Sequence, residues 1–231
     1  MSSFNPTPTE EAMEGQAGAR RVLIVTAVDA ERDAVLRGLQ GSDRFHVIAA
    51  GAGPAAAAAG TAAALAAGSY GCVLSVGIGG GFPGLAPLGS LVVASEMIAA
   101  DLGAETPEGF RSAGELGFGS VSVPADRGTV QAVSAALAAA GLPVSTGIVL
   151  TVSTATGTAE TAAAHLARHP HAVAEAMEGH GVAVAAQALG LPVLELRAIS
   201  NPVGPRDRAA WKIGDAMEAL TAAAAILLEV L

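Results

Sequence analysis

The residues able to do chemistry fall in short groups, each placed where an apolar run ends. Asp29, Glu31 and Asp33 follow Val22–Val28, and Gly77, Gly79, Gly80 and Gly81 close a run that begins at Cys72. Ser153, Thr154, Thr156 and Gly157 follow Thr146–Val152, Met177 and Glu178 follow Ala172, and Ser200 and Asn201 follow Val193–Ile199. A carboxylate such as Glu178 beside glycine-lined backbone suits two adjacent sugar hydroxyls, because it can accept from both. Glycines let backbone N–H groups approach a planar ligand closely. The run Ser75-Val-Gly-Ile-Gly-Gly-Gly-Phe82 is too tightly bunched for the Gly-x-Gly-x-x-Gly dinucleotide pattern, and it lacks the lysine of a phosphate loop.

Each group also has a purely structural reading. The glycines fit a sharp turn, and Asp29 and Glu31 fit partners of a helix N-terminus. Glu178 fits a solvent-facing acid at a helix start. Glu195 and Arg197 are two apart in an apolar strand and so share a face, which reads first as an ion pair. His169 and His171 flank Pro170 and read as surface residues, His180 as a packing histidine rather than a general base, and Cys72 as core.

Strands and longer Ala-rich helices must position these groups. Strands are expected at 22–28, 45–50, 72–77, 146–152, 172–177 and 193–199, with a further β pair at 91–95 and 97–100. Helices are expected at 29–39, from Pro54 onward, at 126–140, 159–167 and 179–189, and from about Trp211 to the end. Residues 102–120, with Pro107 and five glycines, read as a long loop. This alternation predicts a single α/β domain with a central, mostly parallel or mixed sheet flanked by helices. Ligands in such sheets sit outside the carboxyl ends of the strands, where the groups above collect.

Composition narrows the class. The 231 residues carry 12 Lys+Arg against 21 Asp+Glu, a net charge of −9, with only 3% aromatics. That argues against nucleic-acid binding and requires an anionic ligand to be caught by a few placed groups. No stretch is apolar enough for a membrane span, and the lone Cys72 excludes an internal disulfide framework and a cysteine-based zinc site. No cofactor or metal is expected. Residues 1–20 carry Pro6, Pro8, Glu10, Glu11 and Glu14 and read as a flexible acidic tail rather than a signal peptide, ahead of a catalytic domain over 21–231. A cytoplasmic protein is expected.

Three separated segments carry a resemblance: Val25-Thr-Ala-Val-Asp-Ala-Glu31, Ala174-Glu-Ala-Met-Glu178 and Arg197-Ala-Ile-Ser-Asn201. In order and spacing, with the glycine run after Val76, they resemble the purine nucleoside phosphorylase / nucleosidase superfamily from about Arg21 to the end. Ala100-Asp-Leu-Gly-Ala-Glu105, Thr151-Val-Ser-Thr154, and Ser200-Asn-Pro-Val-Gly-Pro-Arg-Asp207 followed by Trp211 look characteristic of its futalosine hydrolase branch. The resemblance implies hydrolysis of the N-glycosidic bond of futalosine in menaquinone biosynthesis, releasing hypoxanthine and the dehypoxanthinyl sugar.

By position, Glu31 matches the acid that activates water, and Glu178 the acid gripping the ribose 2′- and 3′-hydroxyls, with Met177 beneath the sugar. Arg197 matches an arginine near the water, and Thr154, Ala155 and Thr156 the backbone reading the base beside Gly79 and Gly80. Trp211 matches a covering aromatic. Asn201 stands where methylthioadenosine-type nucleosidases have an aspartate. An asparagine can donate to a 6-oxo group while accepting from a protonated N7, which favours hypoxanthine over adenine. Ser75 and Ile78 occupy places where related phosphorylases hold phosphate, so hydrolysis is favoured; Ile78 also removes a polar contact to the water. Phe110 and Phe118 are expected to take the aromatic ring of the 5′ tail and Arg111 its carboxylate, with Arg206 and Arg208 as rivals for the charge. The resemblance further implies a homodimer or higher homo-oligomer. The alternatives are a methylthioadenosine/adenosylhomocysteine-type nucleosidase and a non-catalytic nucleoside-binding protein.

Overall fold

In the computed structural model, which describes residues 21–231, the continuous apolar runs become the strands of one mixed sheet. The expected acidic tail at 1–20 lies outside the described residues. In chain order the elements are β1 (Arg21–Thr26), α1 (Asp29–Leu39), β2 (Phe45–Ala49), α2 (Pro54–Ala67), β3 (Tyr70–Gly81) and β4 (Leu91–Ala99). Next come β5 (Gly103–Thr106), β6 (Gly109–Ser112), β7 (Ser122–Pro124), α3 (Arg127–Ala139), β8 (Val144–Thr151) and α4 (Ala159–Arg168). The chain ends with β9 (Ala172–Ala176), α5 (Gly179–Gln187), β10 (Val193–Pro202), a 3-10 turn at Arg208–Ala210 and α6 (Ile213–Val230).

Pairing is parallel for β1 with β2 and β3, β3 with β10, β4 with β8, and β8 with β9. It is antiparallel for β10 with β4, β3 with β9, and β4 with β7. The circuit β3–β10–β4–β8–β9 closes on itself, because the last two residues of β3, Gly80 and Gly81, pair with Glu175 and Ala174 of β9.

The alternation along β1 shows how the layers are filled. Val22 and Ile24 pack with Ala34, Val35 and Leu39 of α1, Val133 and Leu137 of α3, and Leu220 and Leu227 of α6. Leu23 and Val25 point the other way, with Ala57 and Leu65 of α2 and Val182 and Ala186 of α5. Burial on both faces explains why the strands read as unbroken apolar runs. Pro54 stands at the first turn of α2, where its missing N–H costs nothing.

Three expectations are corrected. The pair expected at 91–95 and 97–100 is one strand, β4, with a register shift between Ala94 and Glu96 in its pairing to β8. Residues 102–120 are not all loop: β5 and β6 form a hairpin within them. The glycines are not a sharp turn either. Gly77–Gly81 continue β3, and none of them has a positive φ.

Candidate active site

The glycine-rich end of β3 is extended strand because its neighbours come too close for side chains. A Cβ at Gly77 would lie 2.7 Å from both Glu31 Oε1 and Arg197 Nη1, and one at Gly81 would lie 2.1 Å from the Ala86 carbonyl oxygen. Gly77 therefore lets an acid from α1 and a base from β10 approach the same point of β3. Around this crossing the carboxyl ends of β1, β3, β9 and β10 enclose a cavity of about 240 Å³.

Glu31 lines the cavity, although it is 3% exposed. Its Oε2 accepts from the backbone N–H groups of Ala27 (2.9 Å) and Val28 (3.3 Å), and its Oε1 accepts from Ile78 N–H (2.9 Å). The helix-start reading is thus realised by one oxygen, while the other reaches across to β3. Three donors from two elements fix the carboxylate in one orientation.

Glu178 stands between β9 and α5 and also lines the cavity. Its Oε1 accepts from Gly53 N–H at 3.1 Å and its Oε2 from Arg197 Nη1 at 3.0 Å. Arg197 itself does not line the cavity. It is buried, with Nε on Glu195 Oε1 (2.8 Å), Nη2 on Ser75 Oγ (2.8 Å) and Nη1 shared between Glu178 and the Ile78 carbonyl (3.4 Å). Burial pulls its pKa down, but the carboxylates of Glu195, Glu178 and Glu31 outweigh that and raise it. The structure thus puts Arg197 beside Glu31 and Glu178, behind the cavity wall, with each nitrogen of the fork engaged.

On the opposite side Asn201 accepts at Oδ1 from Ser200 Oγ (2.8 Å) and donates from Nδ2 to the Pro202 carbonyl (3.0 Å). Glu175, which the sequence reading leaves without a role, lines the cavity and accepts from Thr156 N–H (2.8 Å) and Oγ1 (2.5 Å). Burial pushes its pKa up against the lowering effect of those two bonds. A lone carboxylate inside the apolar Ala172–Ala176 run was the available signal. Ser200, noted only as a strand-end hydroxyl, turns out to orient Asn201. His180 donates its backbone N–H to Thr151 Oγ1, its Nε2 is buried without a partner among the described residues, and burial lowers its pKa.

Of the remaining expected residues, Gly79, Gly80, Ala155, Thr156, Met177 and Trp211 all line the cavity. Thr154 does not. Phe110 and Arg111 do not either, because the β5–β6 hairpin holds them elsewhere. The guanidinium of Arg168 covers the Phe110 ring at 4.6 Å, and Arg111 donates to the Glu115 carbonyl. The cation that does line the cavity is Arg206, stacked over Trp211 at 5.1 Å, with Arg208 at 5.8 Å from the same ring.

The phosphorylase superfamily pattern matches residues 13–231. A futalosine hydrolase of Streptomyces coelicolor is 52% identical over 91% of this chain and 96% of its own length. One of Acidothermus cellulolyticus is 45% identical over 89% of each chain. The crystal structure of the 5′-methylthioadenosine/S-adenosylhomocysteine nucleosidase of Neisseria meningitidis, in complex with methylthio-immucillin-A, superposes with a TM-score of 0.76. At 18% identity, covering 91% of this chain and 98% of that one, it shows a shared fold. The chain belongs to the phosphorylase superfamily and, within it, to the futalosine hydrolases.

Proposed function

We propose that this enzyme hydrolyses the N-glycosidic bond of futalosine, releasing hypoxanthine without using phosphate. The observation that carries the reading is the placement of Glu31, Glu178 and Asn201 around one cavity, with Glu31 fixed by three backbone donors. Bond cleavage through an oxocarbenium-like state needs a base for the water, a charge-complementary grip on the ribose and an acceptor for charge on the leaving base. Glu31 takes a proton from the water as its oxygen bonds to C1′ and the bond from C1′ to N9 breaks. The electron pair stays on N9, the base leaves as neutral hypoxanthine because N7 has taken a proton from solvent, and Glu31 returns its proton to solvent. Glu178 accepts from the 2′- and 3′-hydroxyls, and Met177 packs under the sugar.

Base selection falls to Asn201 and to the backbone at Ala155 and Thr156, which Glu175 steadies. The second Nδ2 hydrogen of Asn201 donates to a 6-oxo group, and its Oδ1 accepts from a protonated N7. Ser75 is fully buried, and Arg197 is already held by carboxylates, which supports a site with no unneutralised cation for phosphate beside Glu31. Arg206 beside Trp211 takes the 5′ aromatic carboxylate, in place of Phe110 and Arg111.

The fold shared with a methylthioadenosine-type nucleosidase supports that activity as a second reading, and Asn201 argues against it. A base-release assay over futalosine, inosine-type and methylthioadenosine-type nucleosides separates the two. Release of adenine in preference to hypoxanthine contradicts the proposal. We place the enzyme in the cytoplasm as a homo-oligomer. Phe118 (82% exposed) and Leu102 (49% exposed) supply apolar surface for association, and no helix of the described residues is long and apolar enough to cross a membrane.

A further inference from the structure

Glu195 does not line the cavity, yet it is fully buried beside it. It lies on β10 opposite Ser75 of β3, while Arg197, two residues on, lies opposite Gly77. Both side chains are almost wholly buried, at 0% and 1% exposure. Glu195 Oε1 accepts from Arg197 Nε at 2.8 Å, while Oε2 has no partner among the described residues. A Cβ on Gly179 would lie 2.1 Å from that Oε2, so the residue directly after Glu178 must be glycine for this carboxylate to fit.

Such a group is unfavourable for stability alone. Burying a carboxylate with one unpartnered oxygen costs free energy, and well-packed apolar residues generally substitute for buried ion pairs without loss. What Glu195 does supply is direction. A guanidinium is a rigid planar fork, so fixing Nε and Nη2 fixes where Nη1 points. Here Nε is held by Glu195, Nη2 by Ser75, and Nη1 lands on Glu178 Oε2 at 3.0 Å.

We propose that Glu195 is a positioning residue of the sugar site: its hold on Arg197 Nε sets the plane of the guanidinium and thereby the orientation of the Glu178 carboxylate. Glu195 works as a hydrogen-bond acceptor of the right length, not as a charge. Burial raises its pKa against the lowering effect of Arg197. The inference rests on reading Glu178 as the acid that grips the ribose hydroxyls.

The test compares Glu195→Gln, which keeps an acceptor oxygen at the same reach, with Glu195→Asp, which keeps the charge but shortens the side chain by one methylene. The readout is the ratio of affinities, by calorimetry, for a hydrolysis-inert 6-oxopurine C-nucleoside and its 2′-deoxy counterpart. This ratio reports the grip on the hydroxyl and does not require turnover. Loss of one well-placed charged hydrogen bond changes affinity roughly 10-fold or more, so Glu195→Asp is expected to lower the ratio about 10-fold, with Glu195→Gln within about 3-fold of wild type. An unchanged ratio in Glu195→Asp overturns the proposal, and so does a collapsed ratio in Glu195→Gln beside a retained one in Glu195→Asp. A wild-type enzyme that releases no base from futalosine refutes the proposed function instead, and leaves this binding ratio to be read on its own terms.

Discussion

The backbone N–H of Ile78 donates to Glu31 Oε1 at 2.9 Å, so the contact between these two residues does not depend on the side chain at position 78. Any residue except proline at that register of β3 presents the same donor. The apolar side chain removes a polar contact to water, but it leaves the base anchored at both oxygens, since Ala27 and Val28 hold the other.

Replacing Glu31 by Gln should therefore abolish the base while the fold persists. Base release from futalosine is expected to fall by about 10²- to 10⁴-fold in kcat, the usual range for losing a general base. KM should change little. Steady-state kinetics alongside a melting curve check this, and a fully active Glu31→Gln enzyme would remove Glu31 from the mechanism.

Arg206 and Arg111 make opposite predictions. Arg206 lines the cavity and Arg111 is turned to the Glu115 carbonyl. Arg206→Ala is expected to raise KM for futalosine by about 10-fold, the scale of a lost charge-assisted contact, with little effect on a nucleoside lacking the 5′ carboxylate. Arg111→Ala should leave both KM values unchanged. The reverse pattern would return the carboxylate to the hairpin.

Gly179 has no room for a methyl group, because its Cβ would overlap the Glu195 carboxylate at 2.1–2.3 Å. Gly179→Ala should cost roughly 1–3 kcal/mol by overpacking and displace Glu178 beside it. Adding Glu195→Ala opens that space, so the double variant should melt above the sum expected from the two single changes. Strict additivity in denaturant unfolding would argue against the clash.

Glu195 also predicts a pH dependence of stability. An acid whose folded-state pKa lies above its unfolded value of ~4.3 binds its proton more tightly when folded. Its stabilising contribution is present in full below that unfolded value and is lost as pH rises through the raised folded value. Glu195→Gln cannot titrate, so the Tm of the variant should gain on wild type as pH rises through the range above that unfolded value. A constant Tm difference across that range would show that Glu195 is not shifted.

How much was legible beforehand follows from burial. β1 and β10 read correctly because buried parallel strands are continuous apolar runs, and Asp126, Pro54 and Gly179 mark helix starts within a residue or so of the observed ones. Gly77–Gly81 read as a turn because Gly77 answers to Glu31 and Arg197, which are remote in sequence, and Gly81 to Ala86 in the loop that follows the strand. For Arg197 the same-face rule finds Glu195, and only the fold brings Glu178 to the third arm of the fork. Glu175 carries no role in the sequence because its partner, Thr156, is nineteen residues away in the β8–α4 connection.

The central claim is phosphate-independent hydrolysis at the Glu31–Glu178–Asn201 cavity. Its most direct test is hypoxanthine release from futalosine by the purified enzyme, followed with and without added phosphate and with the sugar product identified. The account predicts equal rates and a sugar bearing a free 1-hydroxyl in both cases. A rate that requires phosphate, or a sugar 1-phosphate as product, would contradict it.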